Sequence, residues 1–384
     1  MRILYVAAGT PIPGTHGGSV HALQLCRGLA AAGNEVHLVA QAPDRAARPT
    51  AVLDDVILHA LPRRPLLAQL EWTLWRQVRR IARQVRPDVV IERFYTFGGT
   101  GLLAARAIGV PAVLEVNSPA RPYPGSLRDR LDALTLVRPI HRWRHWQLGT
   151  ACRYYSTAAV LLPEGLRQRT TVVVNGVDCQ RIRPGAALPD SGPLRCVFVS
   201  SFRPWHGAAD LVDATIEAMA TGADLHLTCI GEGPTWEEAR RRASRSAAAE
   251  RIAFIGQVPH DEIPRHLASS HLGIAPFSPR HFRALELGWF WSPIKIFEYL
   301  AAGLPVLTAD IPELRDLLPE TVARFYPADD ARALAVQLTS LAGQRAELRR
   351  ASIAARQLAE ERYAWERQAA MVDGVLTEAL AELR

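Results

Sequence analysis

Short apolar runs alternate along this chain with stretches whose apolar residues recur every three to four positions. Ile3 to Ala8 is the first run, followed by a Gly/Pro-rich loop from Gly9 to Gly18. From about Ser19 to Ala32 the positions Val20, Leu23, Leu25, Leu29 and Ala30 form a helical stripe, and Gly33 offers the left-handed stop that ends helices. Val36 to Ala40 returns as a strand, so the opening is a βαβ unit. Asp88 to Glu92 and Pro111 to Val116 are further strands, with a helix at Ala104 to Ile108 between them. A second series starts near residue 194. Cys196 to Ser200, Leu225 to Ile230, Ile252 to Ile255, Leu272 to Ala275 and Val306 to Ala309 are its strands; Ala208 to Ala220, Trp236 to Ser246, Ile263 to Ser269 and Lys295 to Ala302 are its helices. The end, Arg345 to Leu383, reads as one or two helices interrupted near Tyr363-Ala364-Trp365. Strands alternating with helices predict parallel sheets covered on both faces. Two such series predict two doubly wound, Rossmann-like domains facing each other across a cleft, with ligands beyond the carboxyl ends of the strands.

Two segments interrupt that pattern. Leu66 to Val85 places Trp72 and Trp75 among Arg76, Arg79, Arg80 and Arg83, and Arg128 to Arg153 repeats the theme with Trp143 and Trp146. One reading is a pair of surface helices with an apolar face on the core. The other is an interfacial patch for anionic lipid or an anionic acceptor.

Composition narrows the classes. With 48% hydrophobic and 22% charged residues over 384 positions, the chain is an ordinary globular one, and disordered, fibrous and disulfide-scaffold classes drop out. No apolar stretch reaches the length of a spanning helix, and the N-terminus enters a strand directly, so a cytoplasmic protein is expected, peripheral on the inner face of the membrane if the second reading of the Trp/Arg segments holds. The five cysteines are scattered without metal-ligand spacing, so free thiols and no metal are expected. The net charge of +7 is uneven: residues 1–160 hold 20 arginines against 10 acidic residues, so the remainder is net acidic. Lys295 is the only lysine.

The stretch from Ser292 to Val306, Ser-Pro-Ile-Lys-Ile-Phe-Glu-Tyr-Leu-Ala-Ala-Gly-Leu-Pro-Val, carries the most chemistry. A loop entering a helix near Pro293 presents free backbone N–H groups and the positive end of the helix dipole, an anion site suited to phosphate. Pro293 fits the first turn because the donor it lacks would be unpaired there. Glu298, about one turn in, suits the hydroxyls of a diol such as ribose.

This stretch resembles the C-terminal signature of retaining GT-B glycosyltransferases of family 4, in the subgroup written S-P-x-K-x-F-E-Y. Other segments are similar to that family in order: Gly17-Gly18 before a helix, Gly33-Asn34-Glu35-Val36, Asn175-Gly176-Val177-Asp178, Ser200 to Gly207, Ile230 to Pro234, and Phe254 to Val258. The resemblance implies a GT-B fold with an acceptor-side domain over 1–185 and a nucleotide-sugar-binding domain over 186–360, the terminal helix 361–384 crossing back to the first. It implies retaining transfer of a sugar from a nucleotide-diphosphate donor, UDP before GDP, with no cofactor and no essential metal. By resemblance Glu298 binds ribose; Ser292, Pro293, Ile294, Gly17, Gly18 and Ser201 approach the phosphates; Gly231 and Gly233 form a turn beside them; and the backbone of Ile255, Gly256 and Val258 reads the base. The leaving phosphate itself would deprotonate the acceptor.

The chain departs from the family in three places. A frequent first glutamate falls at Phe290, its contact missing or taken by Glu286. A frequent Arg/Lys pair falls at Ser201 and His206, so Arg203, a partly protonated His206 and above all Lys295 are the expected cations. A frequent sugar-contacting His is replaced around Glu115 and Asn117, which face donor or acceptor or else cap a loop. Gly231-x-Gly233 lies too deep in the chain and lacks the third Gly of a dinucleotide fingerprint, and His141 and His145 have helical metal spacing but no intervening Glu and stand in an Arg-rich helix. The expected acceptor is a lipid-linked glycan, a polysaccharide or a small molecule, with nucleic acid excluded for want of a binding motif. A sugar-nucleotide epimerase or hydrolase on the same fold, or a non-catalytic nucleotide-sugar-binding subunit, are the alternatives.

Overall fold

The computed structural model describes residues 1–14, 17–42, 50–62, 71–120, 130, 138–186, 191–282, 285 and 288–382. They form two compact units, one of Met1–Gly176, Glu286–Ser292 and Trp365–Arg384, the other of Val177–Leu285 and Pro293–Ala364.

The first unit is built on an eight-stranded sheet. Its strands are β1 (Arg2–Pro11), β2 (Glu35–Gln41), β3 (Thr50–Leu53), β4 (Val56–Leu61), β5 (Val89–Arg93), β6 (Ala112–Val116), β7 (Arg153–Ser156) and β8 (Thr170–Val172), in the order β3-β4-β2-β1-β5-β6-β7-β8. All pairs are parallel except β3 with β4. The chain leaves β1 toward β2 on one side and later resumes with β5 on the other, so the switch point of this sheet lies between β1 and β5. The Gly17–Ala31 helix buries Ala22, Leu25, Cys26 and Leu29 against the sheet and packs on the C-terminal helix, Trp365–Ala381. A Cβ on Gly28 would lie 2.7 Å from the Ala369 Cβ and 3.1 Å from the Trp365 carbonyl, so the missing side chain sets how closely these helices approach.

The second unit carries a six-stranded, all-parallel sheet. Its strands are β9 (Leu194–Val199), β10 (Leu225–Ile230), β11 (Ile252–Gly256), β12 (Leu272–Ala275), β13 (Val306–Asp310) and β14 (Ala323–Pro327), ordered β11-β10-β9-β12-β13-β14. Its switch point lies between β9 and β12. The expected boundary at 185/186 falls inside this unit, because residues 177–185 are tied to its helices. The Arg356 guanidinium donates to the carbonyls of Cys179, Ile182 and Ala301, and the Val177 amide to the Tyr363 carbonyl.

Of the two Trp/Arg segments, residues 66–70, 128, 129 and 131–137 lie outside the described residues. What is described favours packing. Trp143 and Trp146 stack with centroids 4.6 Å apart over Gly99, and Trp143 Nε1 donates to the Gly98 carbonyl at 3.0 Å. The Trp75–Val85 helix buries Val78, Ala82 and Val85 and exposes Arg76, Arg80 and Arg83. No helix among the described residues is long and apolar enough to cross a membrane.

Candidate active site

At the carboxyl ends of β9, β10 and β11 three loops are stitched together by backbone. Gly231 donates to the Gly256 carbonyl, and a Cβ on Gly231 would lie 1.8 Å from the Ser200 carbonyl oxygen. One on Gly233 would lie 2.0 Å from that of Ser201. Both glycines adopt positive φ, so loop packing alone already requires them, whatever they do for a ligand. Gly207 closes the Ser200–Gly207 loop at φ 68°, its missing side chain leaving room for the Pro276 carbonyl. Ser201 and Arg203 are exposed, as is Ile255, at 43% an unusually open apolar side chain beside Gly256; Val258 is half-buried.

The Ile294–Ala301 helix meets the switch point. Its N-terminus, preceded by Pro293, has no side-chain cap, leaving first-turn N–H groups to solvent or a ligand. Tyr299 wedges the two central strands: its hydroxyl accepts from the Val199 amide at 2.8 Å and donates to the Ile274 carbonyl at 3.3 Å, so β9 and β12 splay at their carboxyl ends. Glu298 is buried, and its carboxylate lies 3.0 Å from Nε2 of the exposed His260.

Lys295, half-buried in the first turn, brings its ammonium 5.1 Å from the Phe198 ring centroid and 5.4 Å from that of Phe277. Its one hydrogen-bond partner among the described residues is Ser200 Oγ at 3.5 Å. Ser200 Oγ also accepts from the Phe202 amide at 3.1 Å and lies 2.7 Å from His206 Nδ1, so the hydroxyl proton is directed to the imidazole. Burial pushes the Lys295 ammonium down to about 7 against the pull of the Glu298 charge. Burial, then the charges of Lys295 and Arg203, push His206 down to about 2. His206 is therefore neutral near pH 7, which corrects the expectation that it supplies part of the missing positive charge. The basic side chains that remain beside it are Lys295 and the exposed Arg203.

In the first unit Gly17 and Gly18 open the helix after β1, and a Cβ on Gly18 would lie 3.4 Å from Arg93 Nη2. Arg93 ends β5, at the switch point, and is held by Glu115 at 3.0 Å. Glu115 is fully buried and ringed by donors: Arg93, His21 Nε2 at 2.9 Å, Tyr155 at 3.0 Å, Tyr5 and Asn117. Burial alone would raise its carboxyl, but Arg93 and His21 outweigh it and hold the group at about 2. Glu115 thus has neither free acceptor capacity nor a face toward solvent, and the expectation that it meets donor or acceptor is corrected: it is the anionic hub of a buried network. Asn117 belongs to the same network through Glu115 and, at 3.5 Å, His21. Asn175 lies beside His21 at 2.6 Å and grips Ser292 through two hydrogen bonds, its amide to Ser292 Oγ at 2.6 Å and its Nδ2 to the Ser292 carbonyl at 2.8 Å. Phe290 is buried with no polar group to offer a sugar. Glu286 lies outside the described residues. His141 Nδ1 accepts from Arg144 at 3.1 Å.

Sequence reasoning missed Ser200, His260, Arg93 and His21. The first three sit at or just beyond the carboxyl ends of β9, β11 and β5, where the rule for α/β sheets directs attention; nothing in the pattern marked His21.

The chain matches two families, Glycosyltransferase Family 4 over residues 15–181 and Glycosyl transferases group 1 over residues 193–344. Glycogen synthase from Mycobacterium tuberculosis is 25% identical over 397 residues, covering 95% of this chain and 92% of that one. The fold is similar to that of a sucrose-phosphate synthase from Thermosynechococcus elongatus, with a TM-score of 0.74, 16% identity and 99% of both chains covered. It is also similar to Anabaena HepE in complex with UDP, with a TM-score of 0.71, 15% identity, and 98% of this chain and 100% of that one covered. One match in each unit, over a pair of parallel-sheet α/β units shared with these structures, makes the chain a glycosyltransferase of the GT-B fold.

Proposed function

We propose that the chain transfers a sugar, with retention of configuration and without a metal, from a nucleotide-diphosphate donor to a hydroxyl acceptor. The observation that carries this reading is the uncapped N-terminus of the Ile294–Ala301 helix, with Lys295 in its first turn and the buried Glu298 one turn further. Ser292 to Ile294 and Lys295 hold the diphosphate, Glu298 the ribose hydroxyls, and the backbone from Ile255 to Val258 the base. Negative charge grows on the diphosphate as the anomeric C–O bond breaks. Donors fixed beforehand at the helix N-terminus therefore stabilise the transition state more than the bound donor. The leaving phosphate takes the acceptor proton, so Glu115 is not needed as a base.

UDP is the favoured nucleotide, supported by the UDP bound to Anabaena HepE. A glycan acceptor is supported by the likeness to a glycogen synthase. The arginine excess of residues 1–160, with Arg76, Arg80 and Arg83 exposed on one helix, favours an acceptor that is anionic or held at an anionic membrane surface.

The test is a thermal-shift titration of wild type and Glu298→Ala with UDP, GDP, ADP and dTDP. A nucleotide at a hundred times its Kd adds about 2.7 kcal/mol to the stability of the unit that binds it. One nucleotide is expected to stabilise wild type and to lose most of that effect in the variant. If none stabilises wild type, the donor site is not built as described.

A further inference from the structure

Lys295 is the one lysine among 384 residues, and its ammonium is placed where a cation is poorly supported until a ligand arrives. Phe198 approaches from β9 and Phe277 from the segment after β12. Ser200 gives a single long hydrogen bond. Among the described residues Lys295 makes no ion pair with a carboxylate. Glu298, the nearest acid on its own helix, is engaged by His260. The loop after β9 presents the exposed Arg203, which brings no negative charge, and the neutral His206. Aromatic faces attract a cation, but they replace only part of the hydration it loses.

We propose that binding of a nucleoside diphosphate at this helix N-terminus is coupled to uptake of a proton by Lys295, the empty site holding the side chain partly as the neutral amine and the diphosphate converting it to ammonium. The inference rests on the donor-site reading above. The proton comes from solvent and goes to Nζ; no covalent bond to the nucleotide forms or breaks. The diphosphate supplies counter-charge beyond the partial pull of Glu298, so the same lysine is cheap to desolvate when empty and fully charged when the leaving group needs it. The depressed ionisation of the empty-site lysine, to about 7, sets the scale. About half a proton enters per nucleotide bound at pH 7, and affinity falls about tenfold between pH 6 and pH 8. His206 Nδ1 accepts the Ser200 hydroxyl hydrogen bond, which leaves one serine lone pair for the Phe202 amide and the other for Lys295.

The experiment is calorimetric titration of UDP into the full chain at pH 7, in buffers of differing ionisation enthalpy, for wild type and Lys295→Arg. A guanidinium stays charged, and the difference between the two proteins cancels the ionisation of the nucleotide's own terminal phosphate and of the chain's N-terminus. Because there is one lysine, ¹³Cε labelling gives one side-chain signal, whose titration without and with UDP reads the same equilibrium directly. Expected are about 0.5 proton more for wild type than for Lys295→Arg, and a lysine signal that titrates near neutral pH when empty and well above it with UDP. UDP binding with equal proton uptake in both proteins, or an empty-site lysine titrating near its ordinary 10.4, overturns the inference and leaves the donor site standing. Failure of UDP, GDP, ADP and dTDP alike to bind overturns both.

Discussion

Replacing Glu115 by Gln removes one negative charge from a site where Arg93 and His21 converge, without changing the shape of the side chain. The carboxyl is held at about 2 in the folded protein against an ordinary 4.5. Its folded value is depressed, so its contribution is present in full above about pH 4.5 and is lost as pH falls toward 2. The difference corresponds to about 3 kcal/mol at neutral pH, of which about 2 kcal/mol is gone by pH 3. An independent argument gives a similar size: leaving a buried arginine without its partner costs about 3–5 kcal/mol. Urea titrations at pH 7 and pH 3, followed by far-ultraviolet circular dichroism and analysed for the transition that moves in the variant, measure both quantities. Wild type is expected to exceed Glu115→Gln by about 3 kcal/mol at pH 7 and by only about 1 kcal/mol at pH 3. A gap under about 0.5 kcal/mol at pH 7, or one that does not shrink in acid, refutes the reasoning. So does a variant of wild-type stability whose turnover collapses, which would return Glu115 to the reacting atoms.

Gly207→Ala places a Cβ 1.7 Å from the Pro276 carbonyl oxygen at a φ that L-residues disfavour. Backbone strain and forced displacement together predict a loss of about 2–5 kcal/mol and a clearly lower thermal midpoint for the second unit, and an unchanged midpoint would contradict the packing described. Changing Arg76, Arg80 and Arg83 together to Ser is expected to leave the fold intact, since all three are exposed, and to weaken co-sedimentation with phosphatidylserine vesicles at low salt. Equal sedimentation of the triple variant would dismiss the anionic-surface proposal.

Much of the architecture was legible in the sequence because period and punctuation carried it. The runs at Ala208–Ala220, Leu225–Ile230 and Leu272–Ala275 have the bounds their patterns predict. Strands β3, β4, β7, β8 and β14 escaped notice: β3, β7 and β8 are three or four residues long and are strands because a neighbour offers them a ladder, whereas β4, Val-Ile-Leu-His-Ala-Leu, carries an apolar run that was legible and was passed over. The site divides along the same line. The loop-to-helix entry at Pro293, the lone Lys295 and Glu298 are local features and could be read as such. What happens to a titratable group depends on what surrounds it, and that is set by residues distant in sequence. Lys295 meets Phe198 and Ser200 from one strand end and Phe277 from another, and His206 is neutral because it is buried beside them. Glu115 reads as a polar residue at a strand's carboxyl end until Tyr5, His21, Arg93 and Tyr155 close around it. The sequence by itself determined the helices and central strands and the helix entry at which an anion is proposed to bind, because backbone geometry and helix dipoles are local. Only the tertiary structure decided which charges survive there, because desolvation and the proximity of other charges are properties of the packed chain.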